Sequence, residues 1–166
     1  MLYVPPVTRL KAGSAEASRA LLRMAGLRPT RQRLVIAQEL FSDGPKHLTA
    51  DELFQRVRCL DRPLSLATVY NTLNQFAEAG LIRRVAVNGG RTYFDTDSTS
   101  HNHFYVEGED RLLDVEDGAV SIAALPAPPL GYVISEVDVL IRLRRSARPR
   151  LHQFSARSKA SCHETD

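Results

Sequence analysis

The strongest constraint on this chain is a series of capped helical segments that runs into a glycine hairpin, all between residues 30 and 95. Thr49-Ala50-Asp51-Glu52 has the form of a capping box. A Thr hydroxyl there meets the amide three residues on, and a Glu carboxylate reaches back to the first amide. Ser65 is placed to cap the next helix, over 66–79, with Gly80 at the position where a left-handed residue closes a helix. Its apolar residues Leu66, Val69, Leu73, Phe76 and Ala77 recur near helical spacing. Strand-like runs over 82–87 and 91–95 then flank Asn88-Gly89-Gly90, residues that tolerate positive φ and signal a hairpin. Helix, capped helix and hairpin in that order predict a winged helix-turn-helix over 16–95.

The remaining segments are read against that unit. Residues 1–15 carry two prolines and a glycine without periodicity, which predicts a flexible arm. A helix is expected over 17–24, ending before Gly26. Another follows Thr30, burying Leu34, Val35, Leu40 and Phe41, and stops at Gly44-Pro45. Beyond Thr96 the pattern shortens. Strands are predicted over 103–107 and 111–115 around Gly108-Glu109-Asp110, then a short helix over 120–125 ended by Pro126, Pro128 and Pro129. A long β-rich run covers 132–143. This 96–145 unit reads as a small α/β domain too poor in core to stand comfortably alone, so a homodimer through a shared sheet is expected. Residues 146–166, with Arg148-Pro149-Arg150 and many serines, read as a flexible basic tail. The expected class is α+β, an N-terminal winged helix followed by a small α/β dimerisation domain.

Charge is distributed unevenly. Through Tyr93 there are 14 Lys/Arg against 7 Asp/Glu, whereas 94–138 hold one Arg against 10 acids. A basic front half suits a polyanion and an acidic middle suits cations. No apolar run approaches the roughly 18–20 residues of a membrane helix. The start lacks a signal peptide's apolar core. The two cysteines, Cys59 and Cys162, lie far apart, outside any metal-ligand spacing. The cytoplasm, without a membrane partner, is the expected location.

Two groups of residues point to chemistry. The helix after Ser65 offers Ser65, Thr68, Tyr70, Asn71 and Asn74 opposite its apolar stripe. In a helix-turn-helix the second helix lies in the major groove, where Asn can pair with adenine and Thr or Tyr can touch thymine methyls. Arg83, Arg84 and Arg91 fall on the expected wing, where contacts go to phosphate. The second group is His101 and His103, with Tyr93, Asp95 and Asp114 around them. In a strand, residues i and i+2 share a face, so both imidazoles can converge on one ion and a carboxylate can complete the shell.

Gly26-Leu27-Arg28-Pro29-Thr30-Arg31-Gln32-Arg33 and Leu66-Ala67-Thr68-Val69-Tyr70-Asn71-Thr72-Leu73 resemble the ferric uptake regulator family, and Asn74-Gln75-Phe76 and Ala79-Gly80-Leu81-Ile82 extend the resemblance. It runs from about residue 20 to 143. It implies a dimeric winged-helix repressor of double-stranded DNA with metal sites near the hinge. By this likeness Tyr70 enters the major groove and Arg28 reaches a narrow A/T-rich minor groove. Asn71 stands where several members carry Arg. The hinge site would comprise His47, Asp95, His101, His103 and Asp114. Ser100 and Asn102 stand in place of ligands of a second site, and Glu107 and Asp110 in place of cysteines that hold structural zinc, so no four-cysteine zinc is expected.

Within the family, Ser65 to Leu73, His103 to Gly108 and Val137 to Arg145 are similar to the iron response regulator branch. That likeness implies haem-responsive control of iron and haem genes, haem at His101 or His103, and a haem-supplying enzyme as partner. Two imidazoles on one strand face cannot take opposite axial positions of one haem without rearrangement. A divalent Fe, Mn or Zn ion fits the mixed nitrogen and oxygen set without preference among the three. The competing readings are a peroxide- or manganese-responsive regulator of the same superfamily and, remotely, a metal-dependent hydrolase. No nucleophile motif supports the hydrolase, so no enzyme activity is expected. His152, Cys162 and His163 in the tail are read as unligated.

Overall fold

A computed structural model describes residues 14–44, 47–59, 64–87 and 90–146. Four helices come first: α1 (Ala15–Met24), α2 (Arg31–Leu40), α3 (Ala50–Arg58) and α4 (Leu66–Glu78). The short strand β1 (His47–Leu48) lies between α2 and α3. Strands β2 (Arg83–Ala86), β3 (Thr92–Asp95), β4 (His103–Val106), β5 (Arg111–Asp114) and β6 (Leu140–Leu143) follow α4. The chain is α+β, as its pattern predicts.

The helices start where their caps dictate. Thr49 Oγ1 accepts from the Glu52 amide at 3.2 Å while Glu52 Oε2 accepts from the Thr49 amide at 2.8 Å, so the capping box is complete. Thr30 and Ser65 accept the amides of Arg33 and Thr68 in the same way. Ser14 caps α1, which therefore begins at Ala15, earlier than the apolar pattern alone suggests. Gly80 closes α4 with φ +72°, a backbone region that costs an L side chain about 1 kcal/mol or more.

The inner faces of α1–α4 pack into one core with Leu22, Ile36, Leu40, Leu53, Val57 and Phe76 fully buried. Leu34 packs half-buried against it, Leu66 is half-buried without joining it, and Thr72 is buried although the stripe omits it. Beside the core lies a sheet of order β1-β3-β2, antiparallel throughout. Successive strand residues face opposite ways, and β3 uses both faces. Phe94 enters the helical core, while Tyr93 joins Val87, Tyr105 and Leu112 in a second cluster against the other sheet. The second sheet has the order β5-β4-β6, with β4 and β6 parallel.

Several expectations change here. Residues 120–125 form no helix. Six residues are too few to propagate one unaided, Pro126 biases Leu125 toward extended backbone, and Ile122 and Leu125 find no surface to pack on. Only Leu140–Leu143 of the β-rich 132–143 run is strand; the Val139 carbonyl still accepts from the His103 amide, but Tyr132 and Val133 farther back are exposed. Among the described residues, no helix follows α4. Helix α2 ends at Leu40, ahead of the expected Gly44-Pro45 stop. The expected hairpin tip Asn88-Gly89, Pro45, the arm through residue 13 and the tail from 147 lie outside the described residues, the tail's His152, Cys162 and His163 included.

Candidate metal centre and nucleic-acid face

Cross-strand register assembles the candidate centre. In the first sheet, His47 of β1 and Arg83 of β2 both sit opposite Asp95 of β3, one on each side. In the second sheet, His103 of β4 sits opposite Asp114 of β5. Two cross-strand pairs, His47/Asp95 and His103/Asp114, thus meet between the sheets, and His101 arrives from the extended segment just before β4. His101 is therefore not a strand residue, yet it converges with His103 as i, i+2 spacing predicts; their ring centroids are 4.5 Å apart.

All three imidazoles bring Nε2 close to the same two oxygens. Asp95 Oδ2 lies 3.0 Å from His101, 3.3 Å from His103 and 3.7 Å from His47. Asp114 Oδ1 lies 2.9 Å from His47, 3.1 Å from His101 and 3.7 Å from His103. One ligand atom from each of the five residues falls within 4.8 Å of every other. Ligands about 2.0–2.2 Å from a common ion span up to roughly 4.4 Å across it, so the donors fit a single cation with little adjustment.

Protonation sharpens the case. His101 Nδ1 is 2.9 Å from the Thr99 carbonyl oxygen. A carbonyl only accepts, so Nδ1 carries a proton, and Nε2 faces oxygens of Asp95 and Asp114 at 3.0 and 3.1 Å, close enough for a proton or a cation to sit between them. His47 Nε2 is buried and makes no hydrogen bond; Asp114 is near enough, but off the direction of the ring nitrogen. Burial pushes the His47 pKa below its ordinary 6.5, against the pull of Asp95 and Asp114. Asp95 has almost no exposure. A cation among these groups would satisfy the unbonded His47 nitrogen and the carboxylates together.

A ladder of local bonds orients these groups. Asp95 Oδ1 accepts from the Asp97 amide at 2.8 Å, which turns Oδ2 toward the histidines. Asp97 Oδ1 accepts from the Thr99 amide and hydroxyl at 2.9 and 2.6 Å. Burial raises the Asp97 pKa, but donation from Thr99 outweighs it and holds the carboxyl below its ordinary value. Thr99 in turn receives His101. Tyr93, read from sequence as a neighbour of the centre, instead donates its hydroxyl to the Asp110 carbonyl at 2.5 Å.

The candidate nucleic-acid residues divide. Asn71 is exposed and Asn74 half-buried on α4. Tyr70 is 40% exposed, its hydroxyl donating to Asp51 Oδ2 at 3.3 Å. Ser65 and Thr68 bond one another at 2.8 Å and serve the helix cap. Arg28 is exposed at the turn before α2. Arg84 is exposed on β2, while Arg91 pairs with Asp110. Arg83 departs from the wing reading altogether. Its guanidinium is turned inward to Thr99, Glu136 and Asp138. Sequence reasoning also missed Arg33, which donates to Gln75 Oε1 from Nε and Nη2, at 3.2 and 2.9 Å, and to the Arg28 carbonyl from Nη1 at 2.9 Å. It ties α2, the Arg28 turn and α4 together, and no local pattern announces a bond spanning that much chain.

The family model described as "Ferric uptake regulator family" matches residues 24–123, more than half the sequence. The chain belongs to the ferric uptake regulator family. A "Ferric uptake regulation protein" of Vibrio cholerae is 40% identical over 99 residues, covering 60% of this chain and 61% of the relative. The Escherichia coli K12 protein of that name is 32% identical over 100 residues, covering 60% and 68%. The aligned part is thus less than two thirds of the Vibrio relative's length. Among solved structures, the Pseudomonas aeruginosa ferric uptake regulator with manganese matches at 25% identity and TM-score 0.60, covering 77% of this chain and 97% of that one. The Vibrio cholerae regulator matches at 25% identity and TM-score 0.61, covering 76% and 98%. Members of this family are regulators, which removes the hydrolase reading of the His/Asp cluster.

Ferric uptake regulator resemblance placed Glu107 and Asp110 where relatives carry cysteines. Both are occupied differently here. Glu107 accepts from Arg144 Nε at 2.6 Å, which holds its carboxyl below the ordinary range. Asp110 accepts from the Tyr105 hydroxyl at 2.9 Å and pairs with Arg91, with the same effect on its carboxyl. The β4–β5 turn is tied to β6 and to the wing by these contacts, each modest alone because it is exposed.

Proposed function

We propose that this chain is a homodimeric, sequence-specific regulator on double-stranded, A/T-rich DNA. It acts mainly as a repressor of iron and haem homeostasis genes, in the cytoplasm, and responds to a divalent metal at the hinge. One observation carries the metal reading: three Nε2 atoms converge on Asp95 and Asp114, and among them the buried His47 Nε2 makes no hydrogen bond. A bound ion would supply the positive charge those groups lack. The functional division is a winged helix over 16–95 and a sensing and dimerising unit over 96–145.

His47 and Asp95 belong to the winged-helix sheet, His103 and Asp114 to the second sheet, and His101 to the segment just before β4. Ligation by both sets fixes the angle between the sheets. In a homodimer that angle sets the spacing of two α4 helices, and half-site fit depends on that spacing. Tyr70, Asn71 and Asn74 would read base edges, with Arg28 in the minor groove, while Arg84 and Arg91 meet phosphate once Arg91 leaves Asp110. Ser65 and Thr68 contribute chiefly by holding the start of α4.

The iron and haem assignment draws on the likeness of Ser65 to Leu73, His103 to Gly108 and Val137 to Arg145 to the iron response branch. Haem binding at His101 or His103 has to open the hinge, since both side chains are nearly buried and share one face. Delivery by a haem-supplying enzyme would suit such an opening. A second reading, a manganese- or peroxide-responsive regulator, is favoured by the nitrogen and oxygen donor set and the manganese-containing relative.

Operator binding by the apo, Mn²⁺, Fe²⁺ and haem forms tests the proposal. Coupling of about 1–3 kcal/mol would change affinity several-fold to a hundredfold. Equal affinity in all four forms would overturn the switch, and the form with the largest change identifies the effector.

A further inference from the structure

Arg83 is a cation turned inward at the edge of the candidate centre, with only 14% of its side chain exposed. Its Nη2 lies 2.5 Å from both Glu136 Oε1 and Asp138 Oδ1, in the segment leading into β6. Its Nη1 donates to the Thr99 carbonyl at 2.9 Å. That carbonyl also receives the Nδ1–H of His101. One guanidinium therefore joins β2 of the winged-helix sheet, the segment before β6, and the oxygen that fixes His101.

We propose that Arg83 is a positioning residue for the metal centre. By holding the Thr99 oxygen in place, it locks His101 in the Nδ1–H tautomer with Nε2 aimed at Asp95 and Asp114. Groups that orient ligating imidazoles commonly change metal affinity 10–100-fold when removed. The planar fork suits this role, since Nη2 reaches two carboxylates while Nη1 reaches the carbonyl. A lysine has one nitrogen and cannot span the same points. The two carboxylates hold the guanidinium, so the clasp forms before any metal arrives and joins the sheets near a productive spacing. The inference rests on the metal-site reading above.

The test uses the full-length chain, wild type against Arg83→Met and Arg83→Lys. Cobalt(II) titration by visible absorption reads affinity, and long-range ¹H–¹⁵N spectra of the metal-free protein read the His101 tautomer. Expected results are a 10–100-fold loss for Arg83→Met, a smaller loss for Arg83→Lys, and a mixture of His101 tautomers in Arg83→Met. If Arg83→Met does not fold, Arg83→Lys carries the test by the same two readings. Unchanged affinity and an unchanged tautomer in a folded variant overturn the proposal. If wild type binds no cobalt, the metal-site reading fails instead, and the tautomer comparison still decides whether Arg83 sets His101.

Discussion

His47 on β1 and His103 on β4 meet edge to face, ring centroids 5.1 Å apart and planes at 86°, although they belong to different sheets. Each stands opposite an aspartate in its own sheet, His47 opposite Asp95 and His103 opposite Asp114. The candidate centre is the contact of these two pairs. Any ligand that holds both pairs also holds the angle between the sheets.

The partly buried His47 gives the metal-free protein a pH-dependent stability. Its folded pKa lies below the unfolded 6.5, so between the two values the unfolded chain binds more protons and stability rises with pH. The contribution is full above 6.5 and is lost as pH falls through the lower folded value. Urea midpoints at pH 7.5 and 5.5 are expected to fall more for wild type than for His47→Gln. Asp97, Glu107 and Asp110, whose carboxyls are held low, act in a separate, more acidic window. Parallel falls in the two proteins would contradict this assignment.

The two faces of α4 give separate predictions for stability and for operator binding. Leu73 is buried in the helical core, and Leu73→Ala is expected to cost about 2–5 kcal/mol in urea denaturation. Asn71 is exposed, so Asn71→Ala should stay within about 0.5 kcal/mol of wild-type stability. Its operator affinity should nevertheless drop by roughly 1–3 kcal/mol if it reads a base. Unchanged operator binding would remove Asn71 from the reading face.

Thr49→Ala breaks a capping box in which both reciprocal bonds are made. A loss of about 1 kcal/mol is expected. Thermal unfolding at fixed pH checks it, and an unchanged midpoint would mean that tertiary packing alone holds the start of α3.

Sequence legibility followed the range of the interactions. Thr49, Ser65 and Gly80 act within one helical turn, so α3 and α4 could be read from the chain alone. The strand β1 could not, because His47–Leu48 becomes a strand only by pairing with β3. His47 entered the predicted site through family resemblance, not through any local signal. The i, i+2 spacing brought His101 and His103 together as expected, but the opposed Asp114 depends on register between β4 and β5. The apolar residues of 120–125 and the β-branched residues before Leu140 misled for the opposite reason. Local pattern there finds no partner surface, and an unpaired pattern does not make an element.

The turn carrying Glu107 and Asp110 is held by arginine and tyrosine contacts. Chelation of the purified protein is therefore expected to leave its far-UV circular dichroism unchanged. Unfolding on chelation would point to a structural metal and contradict that account of the turn.

X-ray absorption of the zinc-loaded full-length chain reads the shell of the hinge centre itself. One ion per chain in a shell of nitrogen and oxygen is expected, with imidazole scattering from up to three histidines and no sulfur, and loss of that scattering in His47→Ala combined with His103→Ala. A sulfur-containing shell, or imidazole scattering that survives both substitutions, would contradict it.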